Sequence, residues 1–186
     1  MKFCSSCGRE LVRRIPENDD RERLICDHCA IIHYQNPRIV VGCLPVWDER
    51  ILLCRRAIKP RRGYWTLPAG FMENSESTLE GAQRETWEEA RARVADEALY
   101  TIIDLPHISQ VYMFYRARLQ TPDFGAGPES TEVALFDEAD IPWNELAFPV
   151  VNLTLERYFA DRRHGLFPVH ATTLRPGDWM TPADKR

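Results

Sequence analysis

Four cysteines set the strongest constraint on how this chain can fold. They form two pairs, Cys4-x-x-Cys7 and Cys26-x-x-Cys29, with 18 residues between the pairs. A two-residue gap lets one tight turn present both thiolates to a single ion, and two such turns facing each other complete a tetrahedral site. Small or polar turn residues stand at both pairs: Ser5, Ser6 and Gly8 at the first, Asp27 and His28 at the second. A segment of about 35 residues cannot build a core alone and needs a staple. The spacing therefore predicts a small zinc ribbon over residues 1–35, with Zn²⁺ on Cys4, Cys7, Cys26 and Cys29. His28 and His33 are then bystanders, and the polar stretch from Glu17 to Arg23 reads as a solvated hairpin tip.

The other two cysteines, Cys43 and Cys54, lie in apolar strand-like runs and read as small buried hydrophobes. Reduced thiols in zinc-type spacing suit a cytoplasmic chain. The first residues lack the apolar stretch of a secretion signal, and no apolar run approaches the length of a membrane span. With 44% hydrophobic and 28% charged residues, the chain is expected to fold rather than stay disordered. Its 24 basic and 28 acidic residues leave a net charge of −4, so nucleic-acid contact requires a local basic patch.

Beyond Asn36 and Pro37 the pattern changes. Residues 38–47 read as a strand, 48–50 as a turn and 51–57 as the second strand of a hairpin. The run from Arg55 to Arg62 holds five basic residues and precedes the main motif, which makes Arg55 and Arg56 candidates for anion contact. Residues 64–67, 98–105, 108–119 and 132–137 read as further strands, with a glycine- and proline-containing loop over 121–130. Apolar residues at helical spacing place a helix over 148–161. The domain is expected to end near residue 165, with 166–186 as a tail.

Between these strands, Ser77 and Glu80 form a helix-capping signature, so a helix starts near Thr78. At about 100° per residue, with Glu85 as zero, Glu89 falls near +40° and Glu88 near −60°. Leu79, Ala82, Thr86, Ala90 and Val94 make the core stripe, and the carboxylates lie beside it. Three carboxylates this close raise one another's pKa unless a cation neutralises them. Oxygen-only ligation favours Mg²⁺ or Mn²⁺.

This constellation resembles the Nudix box, G-x5-E-x7-R-E-U-x-E-E-x-G-U, where U is a bulky apolar residue. Gly70, Glu76, Arg84, Glu85, Glu88 and Glu89 fall on the pattern. Thr86 takes the first apolar position, and Arg91 replaces the glycine that ends the helix, which leaves the helix free to run a turn further. With the ribbon and segments 34–37, 40–44, 52–56, 65–70, 84–90, 127–130 and 135–136, the chain is similar to Nudix hydrolases with an N-terminal zinc ribbon, a group that includes ADP-ribose and FAD pyrophosphatases. The tryptophan- and proline-containing signature of NADH pyrophosphatases is absent after the box: Gln110 is followed by Val111 and Tyr112.

The resemblance implies an α/β fold, a Nudix α/β/α sandwich with a mixed sheet. It implies Mg²⁺ held by Glu85, Glu88, Glu89 and the Gly70 carbonyl, with Arg84 holding the glutamates in place and Glu76 in a structural role. A further loop glutamate, Glu129 or Glu132, is expected in catalysis, with Glu132 as the catalytic candidate. Trp65, Tyr112 and Phe124 are candidates to stack on a base or flavin, and Trp65, Arg55 and Arg56 form the expected substrate contacts. The activity implied is cleavage of a diphosphate bridge in FAD or ADP-ribose. The alternatives are an NADH or capped-RNA pyrophosphohydrolase and a catalytically weak nucleotide sensor. The mixed charge of the ribbon's spacer argues against a nucleic-acid partner, and a homodimer is the expected assembly.

Overall fold

A computed structural model of the chain describes residues 1–178 and divides it into two compact units, Met1–Pro37 and one beginning at Arg38. The first unit carries a three-stranded antiparallel sheet, β1 (Val12–Arg14), β2 (Arg23–Ile25) and β3 (Ile32–His33). Each cysteine pair sits in a tight turn. The residue after the pair takes a left-handed conformation in both, Gly8 at φ 72° and Ala30 at φ 55°. The tip between β1 and β2 is tied down by Asp19, whose carboxylate accepts from the Asp20 and Arg21 amides and from the Arg23 guanidinium at 2.9 Å.

The second unit is an eight-stranded mixed sheet with a helix on each face. Its strands are β4 (Arg38–Trp47), β5 (Arg50–Arg56), β6 (Trp65–Thr66), β7 (Ala69–Phe71), β8 (Val94–Leu105), β9 (Gln110–Leu119), β10 (Ser130–Phe136) and β11 (His170–Thr173). The order is β10-β5-β4-β9-β8-β11, with β6 beside β5 and β7 beside β4. β4 and β5 pair only at Val46↔Ile51 and Trp47↔Arg50. They then part, and β7 pairs with β4 while β6 pairs with β5. The sheet opens there, and the opening brings Gly70 to the helix that carries the glutamates.

Period-two alternation sorts the core. Val41, Cys43, Leu52 and Cys54 pack with Ala82 and Ala90 of α1 (Thr78–Ala90). Leu44, Ile51, Leu53 and Phe114 pack with Val151, Leu155 and Tyr158 of α2 (Pro149–Arg162). Cys43 and Cys54 are therefore packing residues, and burial pushes both thiols up, Cys43 to about 12.

Two expectations need correction. α1 does not run past Ala90: Arg91 takes the left-handed conformation itself, at φ 50°, and its amide donates to the Trp87 carbonyl. Val94 consequently belongs to β8 rather than to the helix stripe. Residues 166–178 are also not a loose tail. β11 lies parallel to β8 over His170↔Thr101 to Thr173↔Asp104, and His170 Nε2 sits 2.7 Å from Asp161, which also accepts from the Tyr100 hydroxyl at 2.8 Å. Residues 179–186 lie outside the described part.

Candidate active site

α1 begins in a full capping box: Ser77 Oγ accepts from the Glu80 amide, and the Glu80 carboxylate accepts from the Ser77 amide at 2.7 Å. This fixes the first turn and hence the register of everything after it. The buried residues of α1 are Gly81, Ala82, Thr86, Glu89 and Ala90. Glu89 thus lies within the buried face, not beside it, at 5% exposure. Glu85 is nearly as enclosed, whereas the Glu88 side chain is 52% exposed.

Arg84 joins the motif together. It grips Glu76 with two nitrogens at 3.0 and 2.8 Å, reaches Glu85 at 2.7 Å and Glu88 at 3.1 Å, and donates to the Phe71 carbonyl. Its guanidinium holds the Glu76 carboxyl down at about 2, aided by the Glu73 amide. Glu89 behaves in the opposite way. Burial pushes it up to about 8, against the opposing pull of the Ala69 amide at 3.1 Å, with the Glu85 and Glu129 charges adding to the rise. Burial also raises Glu85. Gly70 faces this cluster closely enough that a Cβ there would land on the Glu85 carboxylate.

Glu129, not Glu132, joins the cluster. The loop after β9 folds back onto the end of α1, where the Gly125 and Gly127 amides donate to the Ala90 and Glu89 carbonyls at 2.8 and 3.0 Å. Gly127 passes so close that a Cβ would overlap the Glu88 carbonyl. That approach delivers Glu129 to the wall shared by Glu85, Glu88 and Glu89. Glu132 sits beyond a bulge in β10, paired with Arg55 at 3.3 Å and away from the cavity.

The cavity has a volume of about 1000 Å³. Its polar end holds the four glutamates, Arg84 and Gly70; its other walls include Leu105, Ile108, Tyr112, Phe114, Phe148 and Val151. Of the expected substrate contacts, Arg56 lines it and Arg55 does not. Trp65 is a core residue, 6% exposed and edge-on to Phe136 at 4.9 Å, so it cannot stack on a ligand. Phe124 packs against the α1 core, while Tyr112 does face the cavity. Phe148, at the start of α2, was not legible as a wall residue because nothing local marks which end of the sheet a helix terminus covers. For Glu129 a signal existed: Gly127, two residues earlier, marks a close backbone approach.

In the first unit the four Sγ atoms lie within 4.8 Å of one another, with separations of 3.3 to 3.7 Å between neighbours. A zinc ion with Zn–S bonds of about 2.3 Å sets thiolates about 3.8 Å apart, so the cysteines fit the ion. Among the described residues no helix is long and apolar enough to cross a membrane.

Residues 36–154 match the NUDIX domain family, and residues 2–35 match the zinc-ribbon family described as Nudix N-terminal. A NUDIX hydrolase from Nitrosomonas europaea is 56% identical, with a TM-score of 0.91 over 94% of this chain and 99% of that one. An ADP-ribose pyrophosphatase from Streptococcus suis, 22% identical with a TM-score of 0.59 over 73% of this chain and 99% of that one, shares the fold. The NAD-capped RNA hydrolase NudC of Edwardsiella ictaluri is 29% identical over 143 residues, 75% of this chain and 50% of that protein. The chain therefore spans about half the length of that relative. Ribbon, sheet and glutamate helix thus fall under one description: the chain belongs to the Nudix hydrolases that carry a zinc ribbon ahead of the NUDIX domain.

Proposed function

We propose that this hydrolase cuts the diphosphate bridge of a nucleoside diphosphate joined to a second group, with FAD or ADP-ribose as substrate and AMP plus a phosphorylated partner as products. The observation that carries this reading is the pair of enclosed carboxylates, Glu85 and Glu89, at the polar end of a large cavity with apolar and aromatic walls. Enclosing like charges is costly unless a cation joins them. Arg84 is already engaged with Glu76, Glu85 and Glu88. Hard oxygen donors and the open space that Gly70 leaves fit Mg²⁺ on Glu85, Glu88, Glu89 and the Gly70 carbonyl. When bound, the metal would mask the charge of the bridge and lower the pKa of a coordinated water.

The protein's own groups do the rest. Arg84 orients Glu85 and Glu88, and the Ala69 amide fixes one Glu89 oxygen, so the donor set is arranged before substrate arrives. Glu129, beside Glu85 and Glu89, accepts the proton of the attacking water on its carboxylate. Arg56, buried and bonded to the Pro60 carbonyl at 2.9 Å, lines the same cavity with Lys59 and offers its charge to the phosphates. Tyr112, Phe114 and Phe148 exclude water and cover a base or flavin. A second reading, cleavage of a dinucleotide cap from RNA, is favoured by the similarity to NudC and uses the same cut.

The test is incubation with Mg²⁺ and FAD, ADP-ribose, NADH or a capped RNA, with products resolved by chromatography. AMP and FMN from FAD, or AMP and ribose 5-phosphate from ADP-ribose, are expected. Inorganic pyrophosphate released from a nucleoside triphosphate as the dominant product would overturn the reading.

A further inference from the structure

Arg91 stands where the Nudix box carries glycine, and it adopts the conformation that glycine would supply, at φ 50° and ψ 25°. A left-handed backbone is strained for an ordinary residue, and such strain concentrates where a side chain has a task. The Arg91 side chain lines the cavity beside Glu88. It also lies over the ring of Trp87 at 5.6 Å, and Arg93 lies over the same ring at 4.9 Å. Trp87 is 41% exposed on the outer side of α1. Ala92 is buried between the two arginines, so both side chains are driven outward.

Neither guanidinium has a carboxylate or hydrogen-bond partner among the described residues. Arg14, Arg23, Arg84, Arg118 and Arg162, by contrast, all form ion pairs. Two unpaired cations, preset by one indole, therefore lead outward from the catalytic end of the cavity. Guanidinium groups held in this way match phosphate, and an aromatic between cations is the makeup of surfaces that follow a nucleotide chain. The bridge being cut is addressed by the glutamates, Arg56 and Lys59. Arg91 lines the cavity and Arg93 does not, so the pair runs from the cavity to its outside.

We propose that Arg91 and Arg93, set on Trp87, bind a phosphate that the substrate carries beyond the bridge being cut, so that the enzyme favours dinucleotides extended by further phosphate. This rests on the pyrophosphohydrolase reading above. The extra phosphate has two sources, a phosphate ester on a ribose of the dinucleotide or the first linkages of an RNA that bears the dinucleotide as its cap.

The experiment compares kcat/KM for NAD, NADP and a short oligoribonucleotide with a 5′ NAD cap, in the unaltered protein and in Arg91→Gly, Arg93→Gln and Arg93→Lys. Arg91→Gly relieves the backbone, so a folding defect is not expected. In Arg91→Gly and Arg93→Gln the ratio of extended to unextended substrate should fall on the order of tenfold, through KM, and Arg93→Lys should keep most of it. A fall confined to NADP assigns the ribose ester, and a fall confined to the oligonucleotide assigns RNA. A parallel anisotropy titration of labelled capped oligonucleotide, without Mg²⁺, should show a salt dependence shallower by about one contact in each neutral variant. Unchanged ratios with all three substrates hydrolysed would overturn the proposal and leave the hydrolase reading intact. Binding that depends on both arginines without any diphosphate cleavage would uphold this site and overturn the hydrolase reading.

Discussion

Glu89 combines two demands that oppose each other. It must be ionised to hold a metal, yet it is enclosed in the helix's buried face, where ionisation is costly. Its carboxyl rises from the usual 4.5 to about 8. Between those values the unfolded chain releases the proton and the folded chain retains it. Metal-free protein should therefore lose stability as pH rises from about 4.5 to about 8, by a few kcal/mol, and level off above. Glu89→Gln should flatten most of this slope, leaving the part due to Glu85, and raise the melting temperature of the metal-free protein at pH 8. The same substitution removes a metal ligand and should cut turnover on the order of 10²–10⁴-fold. Thermal melts across pH, with Mg²⁺-dependent rates, check both, and full turnover in the variant would remove Glu89 from the metal site. The identities of the glutamates were legible in their spacing. Their depth was not. Spacing puts Glu89 about 40° from Glu85, but the buried arc is set by what packs on it. The small residues Gly81, Ala82 and Ala90 let the sheet approach nearer to the carboxylates than the apolar stripe implied.

At the scale of elements, the loop after β9 links catalysis to helix termination. Its two amides satisfy the last carbonyls of α1, and the same contact holds Glu129 against Glu85 and Glu89. Gly127→Ala should force the loop off the Glu88 carbonyl and displace Glu129. A misplacement of about 1 Å costs up to about 10²-fold in rate. The expected result is a large loss in kcat with zinc content unchanged, and an unaltered kcat would mean that Glu129 does not act on the water. The sequence showed a loop with glycines and prolines, and the strands on both sides were readable from their alternation. Which carboxylate the loop delivers is marked only by Gly127, and the irregularity between Ser130 and Glu132 that turns Glu132 away leaves no mark in the sequence.

At the scale of the whole molecule, stability has two sources. The ribbon's buried side chains are few, Cys4, Ile25 and Cys26 among them, whereas the sheet has a core on each face. Cys26→Ser should reduce bound zinc from about one per chain to none. Hydrogen exchange should then show lost protection in residues 1–35 and retained protection in β4, β5 and β9. Equal loss in both units would show that they fold as one. The ribbon was legible throughout, since metal spacing is a local signal. β11 was not: four residues, His170 to Thr173, pair with a strand almost seventy positions earlier, and no local pattern records such a partner.

That short strand has a consequence for how the protein behaves in crowded solution. β8 is 12 residues long, and β11 covers part of its outer side, latched by His170 on Asp161. Removing residues 166 onward would bare a row of amides and carbonyls that a strand from another copy satisfies as readily as β11 does. Such a truncated protein should keep its glutamate cluster and its turnover but form growing aggregates in light scattering as concentration rises. A truncated protein that scattered like the full chain would show that β11 is dispensable. On this view the shortest element of the unit's outer margin serves as a guard against self-templating, a task measured in shelf life and colloidal stability rather than in rate.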